Sequence, residues 1–478
     1  MIGGGGMMAR LAGGRRQGGS GGRVSRLALL SVLAVLAAPV TAAAQTLADT
    51  LVAAYETSNL LDQNRAVLRA ADEDVALAVS ALRPVVSFIA SATATNARVA
   101  TMAGDVRNRD LAGTLSLQAE ITLYDFGRNR LAIDAAQATV LATREALVGL
   151  EQRVLLSAVQ AFMQVRAASS AVGLRESNVR VITQELRAAR DRFEVGEITR
   201  TDVAIAEARL ASARAQLAAA QGDLAIAREA FKAVTGAYPG QLAAPPRPPA
   251  LPGSLDAAQA VARDRHPAIR QLQHEVTAAD LNVARAAAAR LGSVTGSAGV
   301  TVDDDRRDRS SVALRYSRPL YTGGQQPALA RQAAARRDAV RAGLHQSTVE
   351  VLQEVGRAWA QLGVAVASLE ASERRIEAAQ TAFEGVQQEA ALGARTTLDV
   401  LNAEQELLDA RAARLDADTG RYIAVYALLA SMGLLTVEHL GLGIPTYDPE
   451  AYFNAVRNAP SRSPQGEQLD RVLRRLQP

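Results

Sequence analysis

Between Asn129 and Gly196 the sequence runs without a proline, and its apolar residues recur at steps of three and four. They are Leu147, Leu150, Val154, Ala158, Ala161, Val165, Ala168, Val172, Val179, Ile182, Leu186, Ala189 and Phe193. That is a heptad-like stripe of one uninterrupted helix. At 1.5 Å per residue, ~65 residues extend roughly 100 Å. No single globular core wraps such a length, so the fold must be elongated. A second helical run, from Asp202 to about Val234, returns from the glycine turn and makes a long hairpin. High alanine with few aromatics suits helices that pack closely along narrow seams.

The hairpin is written twice. EVGEITRTDV (194–203) lies over ALGARTTLDV (391–400), sharing the glycine, Thr199 over Thr396, and Asp202-Val203 over Asp399-Val400. ITLYDFGRNR (121–130) lies over RPLYTGGQQP (318–327), and Thr235-Gly236 over Met432-Gly433. All of these pairs keep one offset of 197 residues, so no insertion separates them. Further upstream Arg83 pairs with Arg290 at 207, which places about ten extra residues in one connection of the first unit.

Each unit begins with a helical stretch (51–82; 256–289) and continues into a short alternating segment (85–95; 293–302). A polar loop and a second alternating segment follow. Leu115, Leu117, Ala119, Ile121 and Leu123 fall on one face of that segment in the first unit, Val312, Leu314, Tyr316, Arg318 and Leu320 in the second. Period-two segments of ~9–11 residues joined by polar loops have the pattern of tilted membrane-spanning β-hairpins. The acidic-basic run DDDRRDR (303–309) falls at the second hairpin's loop, opposite Asp105–Asp110, and reads as a solvated loop rather than a metal site. The chain thus divides into a leader (1–44), a first repeat (45–236), a proline-rich linker containing AAPPRPPALPG (237–253), a second repeat (254–435) and a tail (436–478) expected to be partly disordered.

The leader carries Arg15, Arg16, Arg23 and Arg26 before an apolar run at 27–38, with Ala42-Ala43-Ala44 ahead of Gln45. That is a secretory signal pattern, too short to span a membrane. No later stretch offers ~20 uninterrupted apolar residues. Of 53 basic residues five lie in this leader, leaving 48 against 49 acidic ones. A near-neutral mature chain gives no electrostatic footprint for nucleic acid. Cysteine is absent, which excludes disulfides, thiolate metal sites and a cysteine nucleophile. The four histidines (266, 274, 345, 439) form no metal spacing, and no phosphate-loop or nucleophile-elbow motif occurs, so neither enzyme nor cofactor is expected. His266-Pro267 reads as a helix start matching Asn59-Leu60, and Trp359 and the helical Phe residues as packing.

Four strands cannot close a barrel, and an open sheet edge is not tolerated in lipid. Several copies must therefore pool their strands, which also stands their helical hairpins side by side as a cylinder. A pore-free coiled-coil scaffold is the alternative, and it leaves the alternating segments without a role.

The LYDFG and LYTGG junctions, the EVGEIT and ALGART tips, the internal repeat and the leader together resemble the TolC family of outer-membrane efflux ducts. The resemblance spans about 46–435. It implies a mixed α and β membrane protein: a trimer with a twelve-stranded outer-membrane barrel (four strands per chain) continuous with a long periplasmic α-helical barrel. An equatorial collar would surround that barrel, with the tail in the periplasm. It also implies passive export, in an efflux or type I secretion system, of substrates delivered by an inner-membrane pump (RND, ABC or MFS type) and a periplasmic adaptor.

For the tips the resemblance implies two roles. Arg395 would pair with Asp202 of the neighbouring hairpin, with Thr201 beside it, and hold the aperture shut. The other reading is an ordinary surface ion pair. Asp399 would form a carboxylate ring around the pore, or else satisfy the free amides of its helix start. A second ring position one turn on is Asn402, and the family's tyrosine before the second glycine is Ala390 here. The tips Val195, Gly196 and Thr199, and Leu392, Gly393 and Thr396, would meet the adaptor. Glycine as helix stop and threonine as cap explain those residues structurally as well.

Overall fold

The computed structural model describes residues 44–458 except 103 and 305–307. The expected leader, apart from Ala44, and the tail beyond 458 lie outside the described residues. From Gln45 onward the chain is one compact unit. Its first repeat runs α1 (Leu47–Thr57), α2 (Asn59–Ser80), β1 (Val85–Thr101), β2 (Gly104–Tyr124), α3 (Arg128–Glu194) and α4 (Arg200–Thr235). Its second runs α5 (Leu255–Arg265), α6 (Pro267–Ala288), β3 (Ser293–Asp303), β4 (Asp308–Ser317), α7 (Gln325–Ala391) and α8 (Thr397–Ser431); α9 (Pro449–Val456) follows.

The long helices α3 and α7 are each 67 residues and sit 197 positions apart, as the sequence repeat requires. The leading stretches differ from expectation, because each is two helices rather than one. The break is a capping event. Ser58 Oγ accepts from the Leu61 amide at 3.3 Å, and His266 Nδ1 accepts from the Ala268 amide at 3.2 Å with Pro267 opening the helix. His266-Pro267 is thus a helix start, but its counterpart is Ser58-Asn59 and the upstream offset is 208, not 207.

The eleven extra residues lie in the first hairpin. The polar segment expected there as a loop is strand: β1 and β2 pair without interruption from Val85↔Glu120 to Thr101↔Gly104. Its alternation hides behind charged and small residues, and backbone pairing does not require apolar ones. The four strands form one antiparallel sheet in the order β1-β2-β3-β4. β3 pairs with β2 only as far as Thr114↔Asp303, so among the described residues 92–101 and 104–113 form a two-stranded ribbon beyond it. Of the DDDRRDR run, residues 305–307 lie outside the described residues; its start sits beside Gly113, where the Asp304 amide donates to the Gly113 carbonyl at 3.1 Å, and not beside 105–110. β4 ends at Ser317, leaving Arg318 and Leu320 outside it; Pro319 has no N–H for a ladder.

The register sorts the sheet into two faces. Val86, Phe88, Leu115, Leu117, Val300, Val312, Leu314 and Tyr316 share one, since directly opposed and alternate pairs lie on the same side. Ser87, Ser91, Thr93, Thr114, Ser116 and Gln118 share the other, with Ser91 and Thr114 hydroxyls 2.7 Å apart.

The main core gathers at mid-height, roughly 30–55 Å along α3 from its junction with β2 at 1.5 Å per residue. There Leu155, Val159, Phe162, Phe231, Val355, Leu428 and Leu429 from α3, α4, α7 and α8 are fully buried together with Leu47 and Leu51 of α1. Trp359 packs against this core as expected. Of the sequence stripe, Leu150, Val154, Ala158, Ala161, Val165, Ile182, Leu186 and Ala189 are buried, whereas Phe193 at its end is exposed. An 18-residue window of α3 is apolar enough to cross a membrane, yet 44% of it is buried inside the protein. The described part of the tail packs back on the first repeat. Tyr452 Oη donates to Glu73 at 2.6 Å, and the Arg144 guanidinium lies 5.3 Å from the Phe453 ring centre.

Candidate functional site

The two turns at the far ends of α3 and α7 lie side by side and are built alike. Both helices stop on a left-handed glycine, Gly196 at φ 82° and Gly393 at φ 78°. The Glu197 amide then donates back to the Arg192 carbonyl and the Ala394 amide to the Glu389 carbonyl, both at 2.9 Å. This closure recovers carbonyls that the helix end leaves bare.

Each following helix opens with a reciprocal capping box. Asp202 Oδ2 accepts from the Thr199 amide at 2.9 Å and hydroxyl at 2.7 Å, and the Asp202 amide donates to Thr199 Oγ1 at 3.3 Å. Asp399 and Thr396 repeat the set at 3.0, 2.9 and 3.2 Å. These bonds favour the carboxylate. The Thr199 hydroxyl holds Asp202 below the usual range, and the Thr396 amide does the same for Asp399.

The two tips enclose a groove of about 590 Å³ lined by Thr199, Asp202, Leu392, Gly393, Arg395 and Thr396 among others. Arg395 and Asp202 therefore face one space. Within this chain, however, the Arg395 Nε donates to Glu389 at 2.8 Å, and the hydrogen bond raises the guanidinium's already high pKa further. Both side chains are about half exposed, so the pair is an open one. Thr201 is exposed on the first turn of α4, and Asn402 accepts from Arg209 of α4 at 2.9 Å, tying α8 to the first hairpin. Val195 and Leu392 point outward, 72% and 86% exposed.

Two features escaped the sequence reading. Glu389 as the holder of Arg395 was invisible, because a tip arginine has no sequence-encoded partner. The second is Glu404, only 7% exposed in the seam between α3 and α8. Asn178 of α3 donates to its Oε1 at 2.9 Å, while Oε2 has no hydrogen-bond partner among the described residues. Burial pushes this carboxyl up to about 7, helped by Glu185 and opposed by the Asn178 bond and Arg411. Its signal was readable: of the two acids between Val400-Leu401 and Leu407-Leu408, Glu404 and not Glu406 falls on their helical stripe.

The chain matches the family described as outer membrane efflux protein over residues 50–237 and 260–434. It is 36% identical over 428 residues to outer membrane efflux protein BepC of Brucella suis, a match covering 87% of this chain and 91% of that one. It is 29% identical to alkaline protease secretion protein AprF of Pseudomonas aeruginosa over 62% of this chain and 64% of that protein. The solved channel CusC superposes with a TM-score of 0.73 at 20% identity, covering 82% of this chain and 92% of CusC, a likeness of fold. The long double hairpin, the four-stranded sheet and these matches together place the chain in the outer membrane efflux protein family, the TolC-type efflux and secretion ducts that sit in the outer membrane and extend into the periplasm.

Proposed function

We propose that three copies close their sheets into one twelve-stranded barrel and form the passive exit duct of a tripartite export system. The observation that carries this is the sheet itself. Its order leaves β1 and β4 each with an unpaired outer edge, and its register gives one apolar and one polar face. An apolar face is stable in lipid, while open edges are not, so edges must meet edges of other copies. The polar face then lines the lumen, and the 67-residue helices continue the tube into the periplasm. In this reading residues 1–44 are removed on export.

The tips are the periplasmic end of the duct. Solvent-exposed Val195 and Leu392, beside the Gly196 and Gly393 turns, offer small apolar knobs for the helical hairpins of an adaptor, which links the duct to an inner-membrane pump. Asp399 from three copies would ring the constriction and favour cations. Arg395 has two carboxylates to choose between, Glu389 on its own tip and Asp202 across the groove, and the closed aperture uses the second.

Carbonate washing of isolated outer membranes, followed by detergent extraction and mass measurement, tests the duct. A membrane-retained trimer is expected; a monomer or dimer released by the wash overturns it. For the latch, Arg395→Ala should leave the trimer intact and raise channel open probability about two- to five-fold in planar-bilayer recordings, as loss of an exposed pair worth up to ~1 kcal/mol implies. Asp202→Asn should mimic it and Glu389→Gln should not. Unchanged open probability in Arg395→Ala would sink the latch.

A further inference from the structure

We propose that the free β1–β2 ribbon carries a binding site for phosphate-bearing glycolipid headgroups of the outer leaflet, formed by Arg98, Arg107 and Arg109. This rests on the reading of the sheet as a membrane barrel and adds a specific lipid contact to it.

Register places the three arginines on one face. Arg98 is directly opposed to Arg107, and Asn96 to Arg109. The ladder is unbroken below them through Ala94↔Leu111, Ala90↔Leu115 and Phe88↔Leu117. Alternate pairs keep their side, so the arginines rise from the same face as Phe88, Leu115 and Leu117, the face assigned to lipid. All three are exposed. In the backbone register the next pair on this side toward the tip is Ala100↔Asp105.

Height is the second argument. Arg109 lies fourteen positions along β2 from Leu123, the last aliphatic residue of that strand. At ~3.4 Å per residue and a tilt of about 40°, that is roughly 36 Å along the membrane normal. The apolar band of an outer-membrane barrel is about 25 Å tall. Arg109 therefore stands about 10 Å above it, in the headgroup layer, and Arg107 one pair higher.

The third argument is energetic. Like charges directly opposed across a ladder destabilise it, and a two-stranded ribbon alone is marginal in water. The Arg98–Arg107 pair sits in such a ribbon, beyond the last β3 partner. An anionic group between the two guanidiniums removes the repulsion, and phosphate matches the planar guanidinium fork with paired hydrogen bonds. Among the described residues of the β3–β4 hairpin, this face carries Asp308, opposite Val302, and no arginine.

The test uses the full-length, detergent-extracted protein and the triple variants Arg98→Gln/Arg107→Gln/Arg109→Gln and Arg98→Lys/Arg107→Lys/Arg109→Lys. Each is reconstituted in phosphatidylcholine vesicles doped with bis-phosphorylated lipid A or with its dephosphorylated form, and retained lipid is counted by native mass spectrometry. The wild type is expected to retain the phosphorylated lipid at least ten-fold better than the glutamine variant, the lysine variant falling between. Dephosphorylated lipid should bind all three equally, and millimolar inorganic phosphate should not displace the bound lipid. Equal retention of phosphorylated lipid by wild type and glutamine variant overturns the proposal, as does displacement by free phosphate. Carbonate resistance and oligomeric mass are read on the same samples. A resistant trimer without phosphate selectivity removes the lipid site alone, whereas a carbonate-released wild type removes the barrel reading beneath it.

Discussion

Gly433→Ala is expected to lower thermal stability far more than Gly236→Ala, although the two glycines are repeat partners with the same backbone. Both take left-handed φ, 80° at Gly433 and 78° at Gly236. That conformation alone costs an L-residue roughly 1–2 kcal/mol. Their surroundings differ. A Cβ on Gly236 meets only the Thr57 side chain, its γ-methyl nearest at 3.4 Å, an ordinary contact. A Cβ on Gly433 would stand 2.8 Å from His266 Cα and 3.0 Å from the Arg265 carbonyl oxygen, both backbone atoms of the α5–α6 break. Relief requires moving a capped helix junction beside the main core, adding about 1–3 kcal/mol of overpacking strain. At ~2–4 °C per kcal/mol, the midpoint of the Gly433 variant should fall by about 10 °C and that of the Gly236 variant by about 3 °C. Circular dichroism melts of the detergent-extracted variants decide it, and equal losses would refute the close approach.

The second large effect is a pH dependence centred on Glu404. Its folded pKa of about 7 is raised above its ordinary 4.5, the reverse of the usual carboxylate case. The folded seam therefore holds a proton that the unfolded chain gives up. The resulting stability is fully present below pH 4.5 and is lost as pH rises through about 7. At 1.36 kcal/mol per unit, the swing is on the order of 3 kcal/mol at most. The groups facing Glu404 are Asn178 and Glu185 of α3 and Arg411 on its own helix. Glu404→Gln keeps the shape and an acceptor for Asn178 without the charge. It should match wild type at pH 5 and exceed it by about 2 kcal/mol at pH 8 in urea melts. A variant-to-wild-type difference that is the same at both pH values would show that Glu404 does not titrate in the seam.

Local chemistry made much of this protein legible. The 197-residue offset is visible in glycines and threonines whose backbone roles are local: Gly196 and Gly393 stop helices, and Thr199 and Thr396 cap them. The length of α3 follows from its three-four periodicity, which no neighbour is needed to define. The hairpin faces at Leu115–Leu123 were likewise readable, since alternation is a property of one strand. The first hairpin's polar extension was not, because strand pairing there is held by backbone hydrogen bonds and small or charged residues carry no periodic signal. Ser58 was missed as the cap because the repeat's own proline marks only the second copy.

By itself, then, the sequence determined two long helical hairpins, the apolar faces of two β-hairpins and the helix stops, each set by interactions within a few residues. Tertiary structure alone decided which copy of each repeated residue is crowded, how far burial shifts Glu404 and which carboxylate Arg395 holds. Gly236 and Gly433 are equivalent in their own segments but not in what packs on them, Thr57 in one case and the His266 backbone in the other. Glu404 lies on the apolar stripe of α8, but only its cover by α3 raises its pKa. These depend on distances between segments hundreds of residues apart, and a repeat in the sequence does not make the environments of its copies equal.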